Sequence, residues 1–291
     1  MIILCLTLLA FSIFNWHLDL YPMVQHFSQP LHQFCMQMVP AEQVHHDLSQ
    51  ALLCGHELPI SFQKQLILDS GLYHVLVVSG AHLVFFAQLL ERLPRKVTWL
   101  TLPILALYTG MCQAAPPVTR AWIGLLIQTL QRRFHLGWSP ALRSIITSTI
   151  CLVFFANWIH SISFWMSSCA GLALGLCRGK SSALSALVVM CLMIPLLFSA
   201  MGFQPLPWIL NFTLAEFLGA LMLPMVAMSC LLPIHALVDG LWDVQLSLLK
   251  NFSSLLTEQR LPLVQFPPHL YIWSLNAAWL VFSCIRRWNW R

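Results

Sequence analysis

Apolar residues in this chain come in long blocks rather than in alternation. The blocks cover 72–91, 97–114, 118–131, 141–158, 161–177, 183–201, 208–235 and 269–285. Runs of this kind predict helices that enter a bilayer, because a spanning helix needs about 20 mostly apolar residues. A transmembrane barrel would alternate with a period of two, and the chain has no such pattern. Residues 1–14 are apolar or small and predict an N-terminal anchor or signal-like helix. No Lys or Arg precedes that run and no clear small-residue cleavage site follows it, which favours a retained anchor. Residues 15–70 are the most polar stretch. Within them 41–54 and 60–70 read as amphipathic helices separated by Gly55 to Pro59, suited to lying on a membrane surface. Residues 1–40 thus read as an anchor plus a polar external segment, and 41–291 as a transmembrane domain.

Composition strengthens this reading. The 291 residues are 58% hydrophobic and only 9% charged, against about 25% charged in soluble domains. Mean hydropathy is +0.75. The expected fold class is therefore all-α: a polytopic helical bundle of the membrane, with amphipathic and re-entrant helices. Most of the ten cysteines sit inside apolar blocks, where a free thiol acts as a small hydrophobe. No CxxC pair or zinc-ligand spacing occurs; Cys35 and Cys54, both in the polar segment, could pair. No metal and no cofactor is expected, because no nucleotide loop, dinucleotide fingerprint or zinc-protease motif is present.

Charge placement orients the bundle. Formal net charge is +5, and the basic residues cluster in short loops: Arg92, Arg95 and Lys96; Arg132 and Arg133; Arg178 and Lys180; Arg286, Arg287 and Arg291. With loop 92–96 inside, loops 132–140 and 178–182 also fall inside, as the positive-inside rule asks. The C-terminal arginines need 208–235 to enter and leave by one face. That block carries Pro224 near its middle, and half-blocks of about fourteen residues are too short to cross at 1.5 Å per residue. A broken hairpin follows, or else one tilted, Pro-kinked helix.

Candidate chemistry lies inside the apolar blocks. His74, Ser79, Gly80 and His82 sit at the centre of 72–91. Lipid penalises unpaired polar groups, so such residues line a wet path or bond across helix contacts, with Gly80 permitting bending or close approach. His74 and His82 are two turns apart, about 12 Å on an unbroken helix, too far to share a metal. Arg120 lies near the outer end of its block, against the inside bias. It either snorkels or contacts an anion or Glu216, an acidic residue inside a later block. Asn211 and Glu216 are further intramembrane polar groups on the expected hairpin.

These residues carry a resemblance. Ala-Leu-Leu-Cys-Gly at 51–55, followed by Ser-Gly-Leu-Tyr-His-Val-Leu-Val-Val-Ser-Gly-Ala-His-Leu at 70–83, resembles the competence domain of the ComEC DNA-uptake channels. The usual form there is ALLLG and then GLxHLLxxSGLH; here Ala81 replaces a leucine and Tyr73 precedes the first histidine. Pro117-Val118-Thr119-Arg120-Ala121 is similar to a P-S-x-x-R-A element with one residue missing. Phe164-Trp165-Met166-Ser167 matches its counterpart poorly, and Asn211 with Leu223-Pro224 resembles an N…LP pattern. Order and spacing agree over about 41–235.

The resemblance implies a multi-pass channel of the bacterial inner membrane that carries single-stranded transforming DNA to the cytoplasm. His74, Ser79, Gly80, His82, Arg120, Asn211 and Glu216 would line the path. Implied partners are single-stranded DNA, membrane lipid, a separate nuclease, a periplasmic DNA receptor, a cytoplasmic translocase and further copies in an oligomer. The OB-like and metallo-β-lactamase-like domains of typical members have no counterpart within these residues, and no HxHxDH motif occurs. No catalytic residue is therefore expected. Two other readings share the composition: an intramembrane serine hydrolase using Ser79 with a base such as His160 or His235, and a small-solute transporter or lipid-modifying protein.

Overall fold

A computed structural model describes residues 19–69, 80–92, 100–181, 185, 188–189, 191–193 and 221–256. Within them the chain is helical and has no strand. It forms two compact units. Unit I takes Pro22–Trp122 and Gln204–Leu261; unit II takes Met1–Tyr21, Ile123–Phe203 and Pro262–Arg291.

Unit I is built around one short helix. Its described elements are α1 (Tyr21–Met38), α2 (His46–Cys54), α3 (Phe62–Asp69), α4 (Gly80–Glu91), α5 (Thr101–Met111), the start of α6 (Pro116–Arg133), and the late helices α9 (Leu223–Ser229) and α10 (His235–Leu256). From Leu48 to Cys54 every residue of α2 is buried. The expected surface helix at 41–54 is instead the core of this unit. Its polar residues, which suggested a wet face, are spent on tertiary bonds. Trp242 Nε1 donates to Ser49 Oγ at 3.1 Å, and Gln50 Nε2 donates to the Met36 carbonyl at 3.0 Å.

Both ends of α2 are finished by specific chemistry. The Asp239 carboxylate of α10 accepts the Val44 and His45 amides at 3.1 and 3.0 Å, where the positive end of the helix favours a negative group. At the other end Gly55 adopts φ 74°, a left-handed cap that glycine takes at little cost. Its amide bonds the Ala51 carbonyl, and the His56 amide reaches the Gln50 carbonyl. Cys35 of α1 and Cys54 form a disulfide, so the pairing that the sequence left open is made.

Helix α10 is amphipathic. Val238, Trp242, Gln245 and Leu249 face inward at spacings of four, three and four. Leu237, Val244 and Leu248 are exposed. Of the expected hairpin at 208–235, the described part is α9, with Pro224 in its first turn, followed by a turn over 230–234; the earlier part lies outside the described residues.

Unit II contains the rest of α6, α7 (Pro140–Phe154), a 3₁₀ turn over Ala156–His160, and α8 (Ile162–Leu176). Ser139 caps α7 by accepting the Leu142 amide, and Ser161 caps α8 by accepting the Phe164 amide. The block expected to be helical to 158 stops at Phe154. There the Leu20 amide satisfies the Phe154 carbonyl at 3.0 Å, and Asp19 accepts a bond from Asn157. Trp158 then turns in to stack on Phe155, ring centroids 4.2 Å apart. Aromatic packing and a borrowed amide thus end the helix early.

Among the described residues no helix is long and apolar enough to cross a membrane. As far as they are described, the apolar helices α4, α5, α7 and α8 have 12, 11, 15 and 15 residues. At 1.5 Å per residue these reach about 17–23 Å, short of a hydrocarbon core of about 30 Å.

Candidate functional site

The motif-bearing segments of unit I converge on the C-terminal end of α5. Helix α4, which carries Gly80 and His82, packs along α5, and Phe86 meets Tyr108 edge-on with centroids 4.9 Å apart. One turn after Tyr108, Cys112 Sγ points at the Leu53 carbonyl, 3.8 Å away, within the Ala-Leu-Leu-Cys-Gly block. From the other side His32 of α1 bonds the Met111 carbonyl through Nδ1 at 2.8 Å. A carbonyl only accepts, so this nitrogen is the donor.

The chain then makes a strained reversal. Gln113 and Ala114 hold φ 53° and 50°, a left-handed pair without glycine. Each such residue costs about 1 kcal/mol or more, so the surroundings must enforce it. They do: the Ala114 amide bonds the Thr109 carbonyl at 2.9 Å, and Gln113 bonds Gly110 at 3.0 Å. Pro116 and Pro117 follow and open α6, where the missing amide hydrogens are no loss. The tight reversal sets the first turn of α6, with Val118 and Thr119 buried and Arg120 half-buried.

Of the seven predicted path residues, three are described. Gly80 begins α4 as described, His82 is 1% exposed on its inner side, and Arg120 stands in the second turn of α6. His82 and Arg120 are both engaged by neighbours. His74, Ser79, Asn211 and Glu216 lie outside the described residues. The Thr119 hydroxyl is buried with no hydrogen-bond partner among the described residues. Sequence reasoning passed over Thr119, although its place beside Arg120 in the motif was visible.

A second polar cluster was also missed. His45 Nε2 lies 2.8 Å from Asp243 Oδ1, and Gln63 Nε2 faces His45 Nδ1 at 3.4 Å. Gln43 Nε2 donates to Ser229 Oγ at 2.9 Å. These bonds join residues 43–63 to residues 229–243, so no local spacing could have announced them. The cluster clamps unit I and leaves Asp243 at its wet edge. Among the described residues no group of three or more His, Cys, Asp or Glu side chains could hold a metal.

Comparison with known proteins agrees with the blocks gathered at α5. Residues 52–289 match the Competence protein family. The chain belongs to that family, as a ComEC-type competence domain. An uncharacterized protein of Aquifex aeolicus (strain VF5) is 30% identical over 163 residues. That match covers 54% of this chain and 39% of the relative's length. No solved structure matches.

Proposed function

We propose that this chain is a multi-pass protein of the bacterial inner membrane that lines a path for single-stranded transforming DNA into the cytoplasm. The observation that carries the reading is the apolar exposed side of α4 and α5 with polar groups among the buried ones. Their buried sides hold His82, Tyr108 and Thr109 beside Leu83, Ala87 and Leu105, while Val84, Leu89, Ile104 and Leu107 are exposed. A water-soluble helix does the reverse. Apolar groups outward and polar groups inward suit a lipid surround with a polar interior.

Helix α1 is mixed: Ser28, His32 and Cys35 face in, while Met23, Phe27 and Phe34 are exposed alongside Gln25, His26, Gln29, Gln33 and Gln37. The polar side chains inside would replace water around a travelling polyanion, and Arg120 offers a guanidinium fork suited to phosphate. The strand needs no covalent chemistry on this path, so the proposal assigns no catalytic residue. Strand degradation, external capture and pulling fall to separate partners.

The deciding experiment replaces the gene in a competent host with His82→Leu and Arg120→Leu forms. Each is scored for labelled DNA reaching the cytosol, with membrane abundance measured in parallel. Uptake is expected to fall several-fold at unchanged abundance, and Arg120→Lys to retain part of it. Full uptake by both leucine forms would sink the reading.

A further inference from the structure

Two histidines of unit I stand ring to ring on separate elements. His32 belongs to α1 and His56 to the loop after α2. Their ring centroids are 6.3 Å apart and the planes are tilted by 36°. His32 is 6% exposed and His56 is half-buried. No local spacing announces the pair, because only the packing of α1 against α2 brings the two rings together.

That meeting is braced from several sides. The Cys35–Cys54 disulfide starts one turn after His32 and ends two residues before His56. Gln50 Nε2 ties α2 to the Met36 carbonyl of α1 at 3.0 Å. The left-handed cap at Gly55 turns the chain, and the His56 amide then bonds the Gln50 carbonyl at 3.4 Å. His32 itself is aimed: its Nδ1 donates to the Met111 carbonyl at 2.8 Å, and Leu31 beside it packs on Gly110. Both rings are carried by backbone with little room to drift.

A ring fixed in this way is prepared as a metal ligand. Histidines that bind metals commonly donate one nitrogen to a backbone carbonyl, which sets the tautomer and leaves the other nitrogen for the ion. In a neutral His32 that other nitrogen is Nε2. The spacing also fits. A metal sits about 2.0–2.1 Å from an imidazole nitrogen and so about 3.2 Å from the ring centre; two rings share one ion only if their centres lie within about 6.4 Å. This pair stands just inside that limit. Ring packing alone would explain the distance, but not an anchored nitrogen on a covalently braced scaffold.

We propose that His32 and His56 form a two-histidine site for a borderline transition-metal ion, Zn²⁺ or Cu²⁺, metals that imidazole suits. Among the described residues no third His, Cys, Asp or Glu joins them, so water fills the other positions and the ion exchanges readily. Bound there, the ion ties the loop after α2 to α1 and, through His32 and the Met111 carbonyl, to the end of α5. The site stands apart from the channel reading above and does not depend on it.

The test uses the full chain, purified in detergent without a polyhistidine tag and titrated with Zn²⁺ in a calorimeter. The chain has 12 histidines, so specificity is read from variants. His56→Ala changes a half-buried loop residue and should leave the fold intact, as circular dichroism will show. It is expected to weaken the tightest binding about tenfold or more, since even the loss of a group behind a ligand costs that much. His32→Asn should do the same. His26→Ala, an exposed histidine on the same helix, should leave the affinity unchanged. Cu²⁺ serves as a spectroscopic probe: two imidazole nitrogens should split its paramagnetic resonance signal, and His56→Ala should leave one.

Unchanged Zn²⁺ affinity in His56→Ala overturns the proposal, and so does a two-nitrogen copper signal that survives that substitution. Equal weakening by His26→Ala would mean scattered adventitious binding by surface histidines and also overturns it. An ion that binds only the folded chain stabilises it, so Zn²⁺ should raise the melting temperature of the wild-type chain and not of His56→Ala. An equal rise in both would put the ion elsewhere and end the idea.

Discussion

Unit I and unit II are both small helical bodies, yet different chemistry holds each together. Unit I is pinned by bonds between segments almost 200 residues apart: Gln43 to Ser229, His45 to Asp243, Ser49 to Trp242, and Asp239 to two amides before α2. A disulfide adds a covalent tie. In unit II an aromatic group of Phe155, Trp158, Phe164 and Trp165 sits beside an α7–α8 contact made of small residues and hydroxyls. Gly175 lies on the Ala141 backbone, Ser148 donates to Ser168, and Thr147 bonds its own helix at Arg143. Close small-residue packing with modest hydroxyl bonds is how helices associate when lipid removes the hydrophobic drive. Unit I therefore behaves as a clamp whose pieces are mutually dependent, and unit II as a stack whose pieces meet locally.

The largest expected break is in the clamp. Trp242 is 1% exposed and fills the space beside α2. Trp242→Ala leaves a cavity and an unused Ser49 hydroxyl, so it should cost about 3–5 kcal/mol. Thermal unfolding in detergent, followed by fluorescence of the remaining tryptophans, measures this. A loss under about 1 kcal/mol would show that α10 is not part of the core.

The next break is covalent. The Cys35–Cys54 bond spans a sequence separation of 19. Closing a loop of that size restricts the unfolded chain by about 3 kcal/mol. Cys35→Ala/Cys54→Ala, or reduction with dithiothreitol, should lower the melting temperature accordingly. Non-reducing electrophoresis of protein from the intact host reports whether the bond forms. Its absence there would place the polar segment in a reducing compartment, against the orientation that the basic loops imply.

These effects also mark what sequence could and could not reveal. Helices 5 to 8 were visible as apolar blocks, and Pro116-Pro117 at the start of α6 announced itself. The inner stripe of α10 follows from residues 238, 242, 245 and 249. The burial of α2 was not legible, because Ser49 and Gln50 look solvated until Trp242 and Met36 stand next to them. At the candidate site, His82 and Arg120 were picked out as polar groups in apolar surroundings. Their neighbourhood was not, since it depends on the left-handed pair Gln113-Ala114, and neither residue type advertises that conformation. The basic clusters at 132–133 and 178–180 were read as separate anchors. The close approach of α7 and α8 at Gly175 depends on a glycine contact that no charge pattern encodes.

That glycine separates the units again. Gly175→Ala puts a methyl against backbone that cannot swing away, so α7 and α8 must part, at about 1–3 kcal/mol. Gly110→Ala in unit I meets the tip of Leu31 at 2.7 Å, a flexible end that can rotate. The first should destabilise clearly more than the second in the same melting assay. Equal losses would mean that unit I is packed as rigidly at α5 as unit II is at α7.

The smallest effect is the sharpest test of the contrast. Ser148→Ala in unit II removes one hydroxyl bond between helices, in which Ser168 Oγ is the acceptor. Under the membrane reading proposed above, bonds of this kind average about 0.6 kcal/mol. Ser49→Ala in unit I also removes one hydroxyl bond, but it strands the indole N–H of a fully buried tryptophan. That group loses its partner with no water to replace it, which costs about 1–3 kcal/mol. Two substitutions identical on paper should thus differ by a factor of two or more in stability loss. If Ser148→Ala proves as damaging as Ser49→Ala, unit II too is held by irreplaceable polar bonds, and the division into clamp and stack fails.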